Sequence, residues 1–440
     1  MIYSVLDTGA VGDGQTNDAP AIQKAIDACH EAGGGRVLLE SGRTYYASSI
    51  ELKGNVDLHI GKGAVLKAHS DIGTYIRPNG EGVADKEKRV GNPVTGKPSY
   101  AFIYAKDAHN ITISGEGAID GNAYAFVKRV SPYYVTGDFY PRPTLVYTEH
   151  CNHSTFTGVT MRNAPFWTLH PAGSDDVAIH GLRILNDLDV ANSDGIDPDH
   201  CTNVRISGCH ITCADDCICL KTTVGNREYG PTRNVVITNC TLVSTSAAIK
   251  IGTEGVDDFE NVLVDNCIIT GSNRGISIQV RDGGNVRNVS FSNIIIETRR
   301  FSGDWWGCAE PIVITAHDRD AQTKSGSVSR VRFQNITCDG ENGIFISGNE
   351  NTPIKDLAFE KIRVTLRSKS KWPKGFYDLR PIPDGNGILE QKSSPIFLRH
   401  VDGVEMKDVR TSISEDDRSL FSEEGSCEHC ENVSGKVWRG

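Results

Sequence analysis

Long hydrophobic runs are absent from this chain of 440 residues, and no stretch of about 18 apolar residues occurs that could span a membrane. A surplus of basic residues is absent too, since 46 Lys and Arg stand against 56 Asp and Glu and give a net charge of −10. This balance argues against nucleic acid or an anionic membrane as the main partner. It does not exclude an acidic oligosaccharide, because local charge decides such binding.

A secretory signal is also missing, since the first residues contain no basic segment followed by an apolar run. A cytoplasmic location is therefore predicted, with a secreted mature form left open. Thirteen cysteines are present, an odd number, and Cys213, Cys217 and Cys219 fall in a strand-like run. We expect such cysteines to be reduced and packed as small apolar side chains. Cys427 and Cys430 form either a surface turn or a metal site, although no second pair at zinc-site spacing accompanies them.

One amphipathic helix is predicted over residues 16–32. Its apolar side chains recur with the helical period, and they are Ala21, Ile22, Ala25, Ile26 and Cys29. Asn17 or Asp18 can cap its first turn, and three glycines follow its end. Because short β-like runs come directly afterwards, residues 1–70 are expected to form an N-terminal cap and the first coils of a stack of strands.

A short motif recurs from about residue 101, beginning with Asn and continuing as alternating apolar and polar residues. Copies begin at Asn110, Asn203, Asn234, Asn261 and Asn288, and the last four are 31, 27 and 27 residues apart. A fixed period of this size indicates a solenoid. Because each copy alternates as a strand does, a parallel β-helix is predicted, as a single domain over residues 1–440. A sandwich would instead show turns about every 8–12 residues.

Long insertions interrupt the repeats at about residues 71–100, 122–143, 299–328 (as two insertions, 299–310 and 317–328) and 368–394. Solenoids bind ligands with loops at one corner of successive coils, so these insertions are predicted to border a site. They hold many of the aromatic residues, namely Tyr133, Tyr134, Phe139, Tyr140, Trp305, Trp306, Trp372, Phe376 and Tyr377. A few such rings suit stacking on sugars, and the others are expected to pack the loops onto the coil.

Residues 192–222 carry the strongest chemical signal. They contain Asp194 and Asp197 and then the adjacent pair Asp215 and Asp216. Asp194 and Asp216 are 22 residues apart, close to the length of one coil, and neighbouring coils stack at about 4.8 Å. Like charges that close are costly and shift each other's pKa values. Asp194, Asp215 and Asp216 are therefore the candidate catalytic residues.

These residues resemble glycoside hydrolase family 28, the polygalacturonase-like enzymes with a pectin-lyase-type β-helix. The resemblance rests on Asn192-Ser-Asp-Gly-Ile-Asp197, Asp215-Asp-Cys-Ile-Cys-Leu-Lys221, Arg142-Pro143, Ala164-Pro-Phe-Trp-Thr-Leu-His170-Pro171 and the opening segment from Asp7 to Asp18. It implies an all-β, single-stranded right-handed parallel β-helix with a capping helix.

The same resemblance implies hydrolysis of a glycosidic bond with inversion, without metal or cofactor. It makes Asp215 the general acid, whereas Asp194 and Asp216 activate water. Inverting hydrolysis needs a protonated carboxyl and a carboxylate about 6.5–9.5 Å apart. Asp197 either orients its neighbours or binds substrate, or only caps a turn.

Two departures from the family pattern concern the substrate. The Gly-His-Gly motif falls on Ser246-Ala247-Ala248, without its histidine, and the Arg-Ile-Lys motif falls on Ser277-Ile278-Gln279, without its cations. A standard polygalacturonase is therefore not expected. Aligning the strands places Cys219, Lys250 and Ser277 in one column, and Lys221, Gly252 and Gln279 in another. Lys250 either replaces the missing cations or is a solvated side chain.

The predicted function is exo-acting hydrolysis of pectin-type or related oligosaccharides, with an oligosaccharide as the partner. Further candidates for substrate binding are Trp167, His170, Lys221, Glu254, Arg274, Gln279 and Arg281. One alternative is a polysaccharide lyase on the same fold, which needs a cationic base and usually calcium. The other is a non-catalytic carbohydrate-binding β-helix, which has no need of three clustered carboxylates.

Overall fold

The computed structural model describes residues 1–79, 96–129, 135–136, 142–303, 305–352, 354–380 and 387–439. They form two compact units, Met1–Ala214 and Asp215–Gly440, and each is treated separately below. The single domain over residues 1–440 stays a prediction. Among the described residues, no helix is long and apolar enough to cross a membrane. Tyr133, Tyr134, Phe139 and Tyr140 lie outside the described residues.

The first unit begins with the predicted helix, Ala19–Glu31. Ile22, Ala25, Ile26 and Cys29 are buried as expected, against the strands that follow. Asp18 precedes the helix, but its side chain does not cap the first turn. Its carboxylate instead accepts hydrogen bonds from the backbone N–H groups of residues 11 and 12.

Short parallel strands make up the rest of the first unit. Their bounds are Ile2–Ser4, Asp13–Asn17, Gly35–Leu39, Thr44–Ala47, Ile50–Glu51, Val56–Ile60, Val65–Ala68, Ala101–Lys106, Thr112–Gly115, Ala118–Asp120, Lys128–Arg129, Val135–Thr136, Thr144–Glu149, Ser154–Thr157, Thr160–Arg162, Leu169–Ala172, Asp175–His180, Arg183–Leu185, Thr202–Ser207 and His210–Cys213. Lys128–Arg129 and Val135–Thr136 pair antiparallel. Short 3₁₀ helices span Ile72–Thr74 and Ala123–Ala125. Successive coils align apolar side chains, as in the buried column Ile113, Phe156, Ile179 and Ile206.

The second unit repeats the same architecture. Its strands are Ile218–Thr222, Thr232–Thr238, Thr241–Ser244, Ala247–Gly255, Phe259–Asp265, Ile268–Ser272, Arg274–Val280, Val286–Thr298, Ile312–Ala316, Val328–Gly340, Ile344–Ser347, Ile354–Leu366, Tyr377–Asp378, Ile388–Leu389, Ile396–Arg399, Val401–Ile413, Ser426–Glu428 and Glu431–Arg439. Its 3₁₀ helices are Val224–Tyr229 and Glu415–Asp417. Pairing from coil to coil is parallel, so the predicted parallel β-helix is confirmed.

The recurring asparagines explain the period of the repeat. Asn234, Asn261 and Asn288 each have a φ of 57°, in the left-handed region that Asn tolerates better than most residues. Their side chains form a ladder, since Asn261 donates to Asn234 at 3.0 Å and Asn288 donates to Asn261 at 3.2 Å. A sharp turn at one corner of every coil therefore recurs with the same residue type.

Cysteines pack inside the coils as predicted. The cysteines other than Cys427 and Cys430 are buried. Cys427 is exposed and Cys430 is half-buried, near the end of the chain.

One sheet of the second unit carries the residues of interest. It pairs, in order, the strands Ile218–Thr222, Ala247–Gly255, Arg274–Val280, Ile312–Ala316, Ile344–Ser347, Ile396–Arg399 and Ser426–Glu428. Alternate side chains, such as those of Ile249 and Ile276, point into the coil. Those between them, such as Lys250, Ser277 and Val313, lie on the outer face.

Strands lie within or between the predicted insertions. The pair Lys128–Arg129 and Val135–Thr136 lies within 122–143. The strand Ile312–Ala316 of the sheet just described separates the insertions predicted at 299–310 and 317–328. The loop at 368–394 contains an antiparallel pair, Tyr377–Asp378 with Ile388–Leu389. Tyr377 belongs to this hairpin, and its ring packs on the outer face of the sheet. There it forms a buried cluster with Val313, Phe345, Leu379 and Phe397. This hairpin covers the outer face on the fourth, fifth and sixth strands of the sheet.

Candidate active site

Asp194 lies in the first unit, in a segment held by buried polar contacts. Arg142, almost fully buried, donates to the Asn192 side chain at 2.9 Å and to the carbonyl groups of Ala191 and Pro165 at 2.5 and 3.2 Å. Asn186 donates to the Ser193 carbonyl at 3.0 Å. The Ser193 hydroxyl in turn accepts from the N–H of Ala214, the residue directly before Asp215. The Arg142-Pro143 motif therefore fixes the turn that carries Asp194.

The aromatic candidates of the first unit are buried. Trp167 is 3% exposed and His170 is fully buried, with their rings 4.8 Å apart. Nε2 of His170 lies 3.2 Å from the Asp199 carboxylate, and its ring packs 4.9 Å from that of Tyr147. Asp197 is also fully buried. These contacts give Trp167 and His170 a structural role. Their contact with a sugar stays a prediction.

Asp215 is the first residue of the second unit, and hydrogen bonds hold its backbone in place. Its carbonyl accepts a 2.6 Å hydrogen bond from the Ser244 hydroxyl, and the N–H of Ser244 donates to the Ser272 hydroxyl at 3.0 Å. Only 4% of Asp215 is exposed. Burial and the neighbouring charge of Asp216 raise the pKa of Asp215 from 3.8 to about 7, although Lys250, Lys221 and Ser246 partly offset both effects.

Asp216 has a different environment, because three donors surround its carboxylate. One oxygen accepts from the Ser246 hydroxyl at 2.9 Å and from the Ala247 N–H at 3.1 Å. The other lies 2.9 Å from the Nζ atom of Lys250. Ser246 and Ala247 stand where the resemblance places the family's Gly-His-Gly motif, so that segment holds the Asp216 carboxylate here without the histidine.

Lys250 is therefore paired with Asp216. This excludes one of the two alternatives drawn from the sequence, namely that Lys250 is a solvated side chain. It is 6% exposed. Burial acts to lower the pKa of Lys250, but the negative charges of Asp216, Cys219 and Asp215 together outweigh burial and raise it. A cation bound this firmly inside the site is poorly placed to replace the missing family cations.

Lys221 and Glu254 form a second buried ion pair, with 3.1 Å between Nζ and Oε2. Burial acts to raise the pKa of Glu254, but the charges of Lys221, Arg319 and Lys250 outweigh it and lower the pKa to about 2. Lys221 and Glu254, which were both predicted to bind substrate, thus face each other rather than an open cavity.

The predicted columns are confirmed in part. Cys219 pairs with Lys250, and Lys250 pairs with Ser277. Gly252 pairs with Gln279 as expected. The register shifts between Leu220 and Thr222, however, so Lys221 leaves its predicted column and reaches Glu254 instead. The period-two alternation of the sequence does not reveal a bulge of this kind.

Arg274 and Arg281 stand at opposite ends of one strand and have different surroundings. Arg274 donates to Glu310 at 3.1 Å and to the Asp378 carbonyl at 2.7 Å, so it anchors two loops and is not placed to bind substrate. Arg281 is 4% exposed, and among the described residues its Nε and Nη1 atoms have no hydrogen-bond partner. Gln279, two residues earlier, is 3% exposed.

Sequence reasoning missed two charged residues of this region. Arg319 and Asp282 form a buried ion pair, with 2.8 Å between Nη2 and Oδ2. Arg319 also donates to the Thr253 carbonyl at 3.5 Å, beside Glu254. Arg319 comes from a predicted loop with no motif, so only the three-dimensional structure reveals it.

Comparison with known families decides the relationship. The model of glycosyl hydrolases family 28 matches residues 65–374, which include the Asp194 segment and the Asp215–Asp216 pair. The chain belongs to glycosyl hydrolases family 28. The resemblance stated from the sequence motifs is thereby confirmed.

Relatives within family 28 share sequence over part of their length. A probable polygalacturonase of Vitis vinifera is 32% identical over 269 residues, which cover 58% of this chain and 52% of that protein. The chain spans about half the length of the curated relatives it matches.

Solved structures share the fold. An exopolygalacturonase of Thermotoga maritima superposes with a TM-score of 0.69 at 22% identity, over 83% of this chain and 87% of that one. A polygalacturonase of Erwinia carotovora gives a TM-score of 0.63 at 21% identity, over 96% and 94%.

Proposed function

We propose that this family 28 protein hydrolyses a glycosidic bond of a pectin-type or related oligosaccharide by single displacement with inversion. One observation carries the proposal: adjacent carboxyl groups, Asp215 and Asp216, have opposite environments. Asp215 is buried beside a negative charge, which favours its protonated form up to about pH 7. Asp216 accepts two hydrogen bonds and an ion pair, all of which favour a charged acceptor.

In the proposed reaction, Asp215 donates its proton to the leaving glycosidic oxygen as that bond breaks. Asp216 accepts a proton from the attacking water, which adds to the anomeric carbon from the opposite face. The family resemblance assigns Asp194 to the same task as Asp216. One displacement leaves the product with inverted configuration at the anomeric carbon, and Asp215 recovers its proton from solvent.

Exo action is proposed from the covered part of the outer face. Lys250 and Ser277 lie on the second and third strands of the sheet, whereas Val313 on the fourth is already under the Tyr377 hairpin. At about 4.8 Å between strands, the face is closed about 10 Å from Lys250. A chain end fits such a short site better than the middle of a polymer.

The substrate is proposed to differ from that of a standard polygalacturonase. The two cations of the family's Arg-Ile-Lys motif are Ser277 and Gln279 here, and Lys250 is engaged by Asp216. A charged hydrogen bond contributes about 1.5–3 kcal/mol. Polygalacturonic acid is therefore expected to be a poor substrate, with an acidic sugar held differently or a neutral sugar preferred.

The test is a screen of defined acidic and neutral oligosaccharides, with reducing ends and unsaturated products both quantified. Wild-type protein is compared with Asp215→Asn, which is isosteric but cannot donate the proton. We expect hydrolysis of at least one member and a loss of about 10²–10⁴-fold in the variant. An unsaturated product would indicate a lyase, and binding without turnover would indicate a carbohydrate-binding protein.

A further inference from the structure

A turn that contains Ser244 and Ser246 contacts both members of the Asp215–Asp216 pair. The Ser244 hydroxyl donates to the Asp215 carbonyl at 2.6 Å and accepts from the Ser246 N–H at 2.8 Å. The Ser246 hydroxyl donates to the Asp216 carboxylate at 2.9 Å. A short path of hydrogen bonds therefore runs from the backbone of Asp215 through both serines to the side chain of Asp216.

The next coil holds this turn from the other side. The N–H of Ser244 donates to the Ser272 hydroxyl at 3.0 Å, and its carbonyl accepts from the N–H of Asn273 at 2.9 Å. The carbonyl of Ser246 accepts from the N–H of Arg274 at 2.7 Å. Ser244 and Ser272 are fully buried, and Ser246 is 3% exposed. A fixed and buried backbone therefore presents the Ser246 hydroxyl to the carboxylate.

The Ser246 hydroxyl also acts on the acid. Burial and the charge of Asp216 raise the pKa of Asp215 to about 7. The groups of the second unit that hold this pKa down are Lys250, Lys221 and the Ser246 hydroxyl. Ser246 is the neutral member of these three, so its replacement leaves the net charge around the pair unchanged.

We propose that Ser246 is a positioning residue that links the two members of the pair, since it stabilises the charged Asp216 carboxylate and holds the Asp215 backbone through Ser244. This inference rests on the proposed function and deepens it. A hydroxyl that donates to a carboxylate favours the charged form of that carboxylate. The acid and the carboxylate thus depend on one side chain.

The departure from the family motif gives a reason for a serine at this position. Where the resemblance places Gly-His-Gly, this chain has Ser246-Ala247-Ala248. A glycine has no side chain to donate, and Ala247 offers its backbone N–H, 3.1 Å from the Asp216 carboxylate. The Ser246 hydroxyl therefore supplies a side-chain donor in the segment that has lost the histidine.

The experiment follows the pH dependence of kcat on the best substrate of the screen. Wild-type protein is compared with Ser246→Ala, which removes the hydroxyl, and with Ser246→Thr, which retains it. Ser272→Ala is the matched control, because the Ser272 hydroxyl anchors the same turn by hydrogen bonds to backbone groups.

We expect Ser246→Ala to lower kcat about tenfold, because a hydrogen bond to a charged group is lost. The alkaline limb of the profile should move upward by about 0.5–1 pH unit, because the hydroxyl that lowers the pKa of Asp215 is gone. Ser246→Thr should restore both the rate and the limb. Ser272→Ala should loosen the turn but leave the alkaline limb at its wild-type position.

A second measurement does not depend on turnover. The free energy of unfolding of each protein is compared, from pH 4 to pH 9, with that of the same protein carrying Asp215→Asn. In wild type, the stability relative to the Asn variant should fall as the pH rises and level off above about pH 7, where Asp215 ionises in the folded state. In Ser246→Ala this levelling-off should come about 0.5–1 pH unit higher.

The inference is overturned if folded Ser246→Ala keeps the alkaline limb and the levelling-off pH of wild type, or if Ser272→Ala moves them as far. Ser246→Gly removes the same hydroxyl and replaces Ser246→Ala if that variant does not fold. Failure of the proposed function is a different result. In that case the wild-type protein cleaves no member of the screen, and the unfolding measurement decides the role of Ser246.

Discussion

Asp215 and Asp216 are neighbouring residues of the same type, but they have different chemistry because their surroundings differ. Asp215 has its backbone fixed by Ser244 and its carboxyl buried beside a negative charge. Asp216 receives a hydroxyl, a backbone N–H and an ammonium group. The two residues lie on an irregular stretch before a strand, so their side chains point into different environments. The proposed mechanism uses this difference to take an acid and a carboxylate from one motif.

The raised pKa of Asp215 predicts a pH dependence of activity. Only the protonated carboxyl can act as the acid, so kcat should fall about tenfold per pH unit above the pKa of about 7. A pH profile on the best substrate of the screen measures this. A rate that stays flat to pH 9 would contradict the assignment of Asp215 as the acid.

The same shift predicts a pH dependence of stability. Because the pKa of Asp215 is raised from 3.8 to about 7, the folded protein retains this proton where the unfolded chain loses it. The contribution is fully present below about pH 4 and is lost as the pH rises through 7. Asp215→Asn should therefore gain stability relative to wild type between pH 4 and pH 8, by a few kcal/mol at about 1.4 kcal/mol per pKa unit. Denaturant unfolding at both pH values checks this, and an equal difference at both would count against it.

Lys250 separates a catalytic effect from a binding effect. Lys250→Met leaves the Asp216 carboxylate buried without its cation, so we expect kcat to fall about tenfold or more on acidic and neutral substrates alike. Steady-state kinetics on both substrates measures this, with Arg233→Met as the control. A loss confined to acidic substrates would instead mean that Lys250 binds the substrate carboxylate.

At the scale of elements, strand register was predictable and side-chain pairing was not. Alternation placed Cys219, Lys250 and Ser277 in one column, and the structure confirms it. Lys221 was misplaced because a bulge moves it to Glu254. The Lys221–Glu254 pair depends on a local register shift, and the Arg319–Asp282 pair depends on a side chain from a loop, which carries no period.

Loop anchoring gives a prediction at this scale. Arg274 is 2% exposed, pairs with Glu310 and reaches the Asp378 carbonyl. Arg274→Met leaves Glu310 charged and buried, so it should cost about 3–5 kcal/mol of unfolding free energy. Chemical denaturation measures this, with Arg287→Met as a control because Arg287 is in a partly exposed ion pair worth about 0–1 kcal/mol. Partial recovery in Arg274→Met/Glu310→Gln is expected, and a loss no larger than that of the control would show that the anchor is unimportant.

At the scale of the whole molecule, repeated coils made the fold predictable from the sequence. The asparagine ladder and the parallel pairing account for the period of 27 residues. Family membership follows from motifs that survive in full, whereas substrate preference depends on positions where the motifs are lost. Arg274 and Arg281 were equal candidates in the sequence, and only the structure shows that Arg274 is engaged by Glu310 and the Asp378 carbonyl.

Chelation tests the proposed class of reaction. The carboxylates are proposed to transfer protons, so EDTA should leave the rate of hydrolysis unchanged within about twofold. Activity before and after EDTA treatment, with calcium added back, measures this. Loss of activity that calcium restores would favour the lyase alternative.

The most direct test of the central claim is the configuration of the first product, followed by proton NMR during cleavage of the best substrate from the screen. Asp215 as acid with a carboxylate-activated water predicts a single displacement, so the anomer formed first should be inverted relative to the bond cleaved. Mutarotation should then produce the other anomer more slowly. A first product with retained configuration, or one with a carbon–carbon double bond, would contradict the account.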